Sequence, residues 1–216
     1  MSNVFPRQIN APPIKAVSSN GCYIFDDNGN QYFDGSGGAA VSCLGHADPE
    51  VIQAIQDQTS KMAFAHTGFF SSDPAEELAE LLIKHAPGDL DRVYFVSGGS
   101  ESIEAALKLA RQYHIENGEP NRRHIIARRQ SYHGNTLGAL AAGGNKWRRD
   151  QFEPILINVS HIAPCYEYVD KSTQEKTYDY GQRVAQELED EILRLGSDTV
   201  MAFIVEPVVG ATMGAV

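Results

Sequence analysis

RVYFVSGGSESIEAALKLARQY, residues 92–113, sets two periodicities back to back. Arg92 to Val96 is mostly apolar and β-prone, the pattern of a buried strand. A glycine turn follows at Ser97-Gly98-Gly99-Ser100. Ile103, Leu107, Ala110 and His114 then recur at helical spacing, widened by Ala106, Leu109 and Tyr113. Strand, glycine turn and helix in this order imply an α/β fold with a mainly parallel sheet. Glycines carry no Cβ to keep an anion away, and the first N–H groups of a helix lack acceptors within it. The helix dipole adds positive character at the same spot, so phosphate is the natural ligand there. A plain βα turn, with glycine supplying only an unusual φ, is the alternative reading. The turn has no Gly-Lys-Ser/Thr of a P-loop, and its glycines do not follow G-x-G-x-x-G spacing.

On the N-terminal side, residues 1–20 are polar and proline-containing and read as an arm. Gly21 to Asp34 sets two short apolar runs around Asp-Asn-Gly-Asn, a hairpin signal. Val41 to Leu44 is a candidate third short strand. Pro49 to about Met62 reads as a helix with proline in its first turn. Phe64 to Phe70 is an aromatic loop, suited to a substrate pocket, a subunit contact or plain core packing. Ser72-Asp73-Pro74 opens a second helix that reaches Lys84, and Pro87-Gly88 ends it.

On the C-terminal side, His124 to Arg128 reads as a second strand of the parallel sheet. Gln130 to Thr136 lies just past its C-terminal end, where α/β sheets place ligands. Gly138 to Gly144 is rich in small residues, and Asn145 to Asp150 is a short helix or loop. Ile155 to Val159 is strand-like, and Ala163 to Thr177 is a polar surface excursion. A helix is expected over Tyr180 to Leu195, stopped by Gly196. Val200 to Val205 is apolar throughout, a strand buried on both faces that runs into Glu206-Pro207. A carboxylate in that position is costly unless paired or functional; capping a neighbouring helix is the structural alternative.

The bulk properties exclude several classes. The chain has 216 residues, 42% hydrophobic and 21% charged, ordinary for a protein large enough to bury a core. A net charge of −10 argues against nucleic acid and against an anionic membrane surface. No apolar run approaches the roughly 20 residues of a membrane span, and the N-terminus has no signal-peptide core. Cys22, Cys43 and Cys165 are widely spaced. They read as free thiols of a cytoplasmic protein, with no metal site and no disulfide frame.

Three segments in order, SGGSE (97–101, with AALKLAR at 105–111), YHGNT (132–136) and IVEPVVG (204–210), resemble class III aminotransferases. These are pyridoxal-phosphate enzymes of fold-type I. Leu44-Gly45-His46 followed by Pro49-Glu50-Val51 is similar to the family's N-terminal part. The resemblance implies an arm, a β-meander and the start of a small domain over 1–70. It implies the first part of the large cofactor-binding domain over 71–216. Pyridoxal 5'-phosphate would be the cofactor, with Gly98, Gly99 and Ser100 at its phosphate. Tyr132 would stack on the pyridine ring, with His133 as the alternative ring contact. Glu206 would lie on the substrate side, able to pair with an arginine that handles the substrate carboxylate. His46 is either at the substrate entrance or a turn residue bonding its own backbone.

The activity implied is transfer of an amino group from an amine or ω-amino acid to a keto acid such as pyruvate. A homodimer with its active site near the interface is the implied assembly. Val208 to Thr212 lacks the Gln-Gly-Glu of ornithine-type members and is closer to the ω-amino acid–pyruvate group. Another class III member such as an aminomutase, a phosphate-binding α/β module and a non-catalytic assembly partner are the alternatives. Two residues of the family's chemistry have no counterpart here: the Asp that pairs with the pyridine nitrogen and the Schiff-base lysine. Lys15, Lys61, Lys84, Lys108, Lys146, Lys171 and Lys176 all lack the matching late-strand context. The expectation is therefore an N-terminal portion of a longer enzyme.

Overall fold

The computed structural model describes residues 3–11 and 13–212, and the chain divides into two compact units, 1–92 and 93–216. The division falls later in the chain than the boundary expected after residue 70.

In the first unit, β1 (Ala16–Asn20), β2 (Tyr23–Asp26) and β3 (Gln31–Phe33) form an antiparallel meander in that order. The expected hairpin is present. The arm reading fails at its end, because residues 16–20 pair with β2 from Ala16↔Asp26 to Asn20↔Tyr23. Asp26 organises the hairpin. It accepts hydrogen bonds from the N–H groups of Asn28 and Asn30, the Asn30 amide and the Tyr32 hydroxyl, all between 2.8 and 2.9 Å. Led by the Asn30 side chain, these bonds hold its carboxyl at about 2.

The third strand expected at Val41 to Leu44 does not form. Instead α1 (Gly37–Ala40) makes one left-handed turn, with φ of 55 and 62° at Gly37 and Gly38 and 62 and 65° at Ala39 and Ala40. Each alanine there costs about 1–2 kcal/mol. Asp34 offsets this by accepting from Gly38 N–H (3.3 Å), Ser42 Oγ (3.2 Å) and His46 Nε2 (2.8 Å). The imidazole of His46 therefore clasps the turn through Asp34, a role neither sequence reading assigned it. Its hydrogen bond is the main reason the Asp34 carboxyl lies below the usual carboxylate range. Two helices follow, α2 (Pro49–Lys61) and α3 (Asp73–His85), close to their expected spans. Asp48 caps α2 by accepting from the N–H groups of Glu50 and Val51.

The second unit runs α4 (Gly99–Glu116), β4 (His124–Arg128), α5 (Leu137–Ala142), α6 (Lys146–Arg149), a 3-10 turn at Glu153–Ile155, β5 (Ser160–Ile162), α7 (Glu167–Asp170), α8 (Thr177–Leu195) and β6 (Val200–Phe203). Its sheet is parallel, ordered β5-β4-β6. Being central, β4 buries Ile125, Ile126 and Ala127, while β6 is only half-buried instead of covered on both faces. Leu107 of α4 and Ala141 of α5 pack onto this sheet with Val159. Gly196 ends α8 with φ of 93°.

Two expected strands are corrected. Ile155 to Val159 lies before the ladder, which begins only at Ser160 opposite Ile126. Pro154 sits in the 3-10 turn that brings the chain to that edge. Arg92 to Val96 pairs with no strand among the described residues, and Tyr94 and Phe95 are 80% and 44% exposed. An apolar β-prone run becomes a strand only where a neighbour completes its hydrogen bonds.

Candidate functional site

The second unit brings three of the sequence-predicted segments together. The chain enters α4 through Gly98, an extended residue at φ −170° and ψ 164° that caps the helix without a side chain. Glu101 reaches back to accept from Ser97 N–H at 2.8 Å, which fixes the approach to the turn. The N–H groups of Gly98, Gly99 and Ser100 meet no acceptor among the described residues. A Cβ built at Gly98 or Gly99 meets nothing within 4 Å. Neither glycine is required by its φ, so what they supply is room in front of a helix terminus that favours an anion.

The Ser100 hydroxyl differs from expectation. It donates to Oδ1 of Asn135 and accepts from Asn135 N–H, both at 3.0 Å. Its proton is thus committed to the loop after β4, and the donors left for a phosphate are backbone N–H groups. Gly134 permits this close approach: at φ 137°, a Cβ would lie 2.6 Å from Ser100 Oγ and 2.9 Å from the Ala139 Cβ. A second tie comes from Glu104, which accepts from the N–H groups of Gly138 and Ala139 at 2.8 and 3.2 Å. The Thr136 side chain and these N–H groups hold its carboxyl below the usual range. Sequence reading missed Glu104. The only signal was a second acid one turn into a helix whose start faces another helix N-terminus.

Tyr132 is half-buried in the loop, with the Arg148 guanidinium 5.1 Å from its ring centroid. His133, its neighbour, points the other way in polarity: it is 7% exposed, and its Nε2 has no partner among the described residues. Burial pushes its pKa down, while the negative charge of Glu206 opposes the shift. Glu206, at the end of the β6 segment, accepts from Tyr132 N–H at 3.0 Å and from Gly210 N–H at 3.4 Å. It therefore holds the ring-bearing loop through the backbone. No arginine pairs with it among the described residues.

The site thus offers an anion cradle at the start of α4, an aromatic face beside it, and a carboxylate fixing that aromatic residue in place. A sequence model of the class III aminotransferases matches residues 4–216. The chain belongs to this family. An uncharacterized aminotransferase of Schizosaccharomyces pombe is 46% identical over 212 residues, covering 98% of this chain and 46% of that protein. One from Bacillus subtilis is 36% identical, covering 98% of this chain and 47% of its own length. The chain spans about half the length of the curated relatives it matches.

Solved structures of omega transaminases agree in fold. An omega transaminase from Pseudomonas jessenii in complex with PMP superposes with a TM-score of 0.91 at 28% identity, covering 100% of this chain and 49% of that one. An (S)-enantioselective omega-transaminase from Thermomicrobium roseum gives 0.88 at 36% identity, over 98% and 48%. The fold is therefore that of the fold-type I pyridoxal-phosphate enzymes. The residues present fit the class III cofactor. Three N–H groups without an acceptor among the described residues, with room beside Gly98 and Gly99, suit a phosphate dianion, and a half-buried tyrosine anchored by its backbone suits an aromatic ring.

Proposed function

We propose that this chain carries the phosphate cup and ring-facing loop of an aminotransferase that uses pyridoxal 5'-phosphate. The reaction would move an amino group from an amine or ω-amino acid to a keto acid such as pyruvate. The observation that carries this reading is the pairing of the open α4 N-terminus with the Tyr132 loop, fastened by Ser100 and Asn135. The omega-transaminase names of the solved relatives support the substrate class.

Pyridoxal phosphate, when bound, supplies an electron sink for the carbon that bears the amine. Backbone N–H groups of Gly98, Gly99 and Ser100 would hold the phosphate, and Tyr132 would orient the ring by stacking. Glu206 holds Tyr132, so its effect on the reaction passes through that loop. A homodimer is the assembly that accords with the family, and the three free, exposed cysteines accord with a cytoplasmic location.

The test is made on the intact protein. Purified material should carry a visible-edge cofactor absorbance and should convert pyruvate to alanine with an ω-amino acid as donor. Cofactor binding without any amino transfer would overturn the activity. Failure to bind the cofactor would return the cup to a plain βα turn.

A further inference from the structure

The Tyr132 loop also borders a recess of about 550 Å³, lined by Tyr132, Asn135, Trp147, Arg148, Asp150 and Gln151. Its size is that of a small-molecule pocket. Arg148 dominates it. The guanidinium carbon lies 5.1 Å from the Tyr132 ring centroid and 4.7 Å from that of Trp147, so two aromatic faces hold one cation. No carboxylate neutralises it among the described residues; Asp150, on the same rim, is exposed and forms no ion pair with it. The Nε of Arg148 is buried without a partner among the described residues. Asn145, three residues earlier and 3% exposed, likewise has neither amide atom bonded among the described residues.

A half-buried cation fixed by aromatic rings but left without a counter-charge is organised to receive an anion. Asn135 and Gln151 add amide donors on the same wall. We propose that Arg148 is a specificity residue, binding the carboxylate of the amino donor or keto acid in the recess next to Tyr132. The proposal rests on the aminotransferase reading for the identity of the ligand. The recess adjoins the phosphate cup through Asn135, which bonds Ser100, but Arg148 is not among the cup's donors, which are the N–H groups of α4. Because Tyr132 also contacts Arg148, the cation fixes the ring's position from the carboxylate side.

The experiment uses the intact, cofactor-loaded protein and pentanoate, a carboxylate with neither amino nor keto group, titrated by calorimetry with pentanol as the uncharged control. Arg148→Met should weaken pentanoate binding by about tenfold or more. Arg148→Lys keeps the charge but loses the planar stacking, and should weaken it by roughly threefold. Pentanol binding should not change, and cofactor affinity should fall by less than pentanoate affinity, since Arg148 reaches the cofactor only through the Tyr132 ring. In steady state, KM for an ω-amino acid donor should rise while KM for an amine lacking a carboxylate stays level. Pentanoate affinity untouched by Arg148→Met overturns the proposal, as does a loss confined to cofactor affinity, which would place Arg148 at the phosphate. Where Arg148→Met fails to fold, unchanged pentanoate affinity in Arg148→Lys is the overturning result. A protein that binds no cofactor defeats the aminotransferase reading, while the calorimetric result still decides the role of Arg148.

Discussion

The backbone N–H of Tyr132 donates to Oε2 of Glu206 at 3.0 Å, joining residues 74 positions apart in the chain. The bond exists because β4 and β6 are adjacent parallel strands, so their C-terminal ends open side by side. One strand exit carries the aromatic residue and the other the carboxylate that holds it.

Removing that carboxylate should loosen the loop more than it alters the sheet. In Glu206→Ala the Tyr132 N–H loses its acceptor, a cost of about 1–3 kcal/mol for a partly buried group. Glu206→Gln keeps an acceptor oxygen and should cost less. Denaturant unfolding ranks the two, and cofactor absorbance reports the ring environment. Equal stability of both variants and the parent would show that the bond does not hold the loop.

Gly99→Val separates folding from binding. The new side chain points into open space, so the helix content of the intact protein should be unchanged. The same side chain stands where an anion would sit, and cofactor retention should fall by about tenfold or more. Dialysis followed by absorbance checks this, and full retention would move the phosphate elsewhere.

Gly134→Ala should act in the opposite way, on the fold itself. Its φ of 137° is strained for any L side chain, and its Cβ would collide with Ser100 and Ala139. A loss of about 2–4 kcal/mol is expected from strain and overpacking together. Chemical denaturation measures it. A loss below 1 kcal/mol would mean that the cup and the loop yield easily.

Acid should weaken the second unit through His161. Its Nε2 donates to the carbonyls of Ala142 and Gly143 at 3.1 Å, while Nδ1 accepts from Arg149 at 3.4 Å, so the ring is neutral. Burial first, and the Arg149 charge second, push its pKa below the ordinary 6.5. The unfolded chain therefore takes up the proton more readily. Stability is fully retained above pH 6.5 and falls as pH drops below it toward the folded-state pKa. His133, depressed by burial, adds in the same direction. Urea unfolding at pH 7.5 and 5.5 should show a smaller difference in His161→Gln than in the parent. An equal difference would remove His161 as a source.

What the sequence disclosed depends on whether a feature is local. The span of β4 was legible because a central strand buried on both sides needs an unbroken apolar run, and α4 and α8 because their apolar stripes repeat over many turns. By contrast, β1 reads Ala-Val-Ser-Ser-Asn, with no strand pattern of its own, and is made a strand by β2. Residues 92–96 have the pattern and lack the partner. At the site, the glycines were visible as a turn between a β-prone run and a helical stripe, and Tyr132 through the YHGNT segment's likeness to the family. Glu104 and Arg148 were not, since an acid within a helix and one of two adjacent arginines look like solvated surface. Their roles arise from contacts across 34 and 16 residues that no local pattern encodes.

The reciprocal Ser100–Asn135 bonds have a kinetic and entropic side. A loop that had to be immobilised by the incoming cofactor would lose its conformational freedom at the moment of binding, and affinity would fall accordingly. Here that freedom is already gone on folding, because the helix start and the loop share a hydroxyl and an amide. Recognition of an anion and an aromatic ring at this site would then amount to rigid docking, with association governed by encounter and residence time by the contacts themselves.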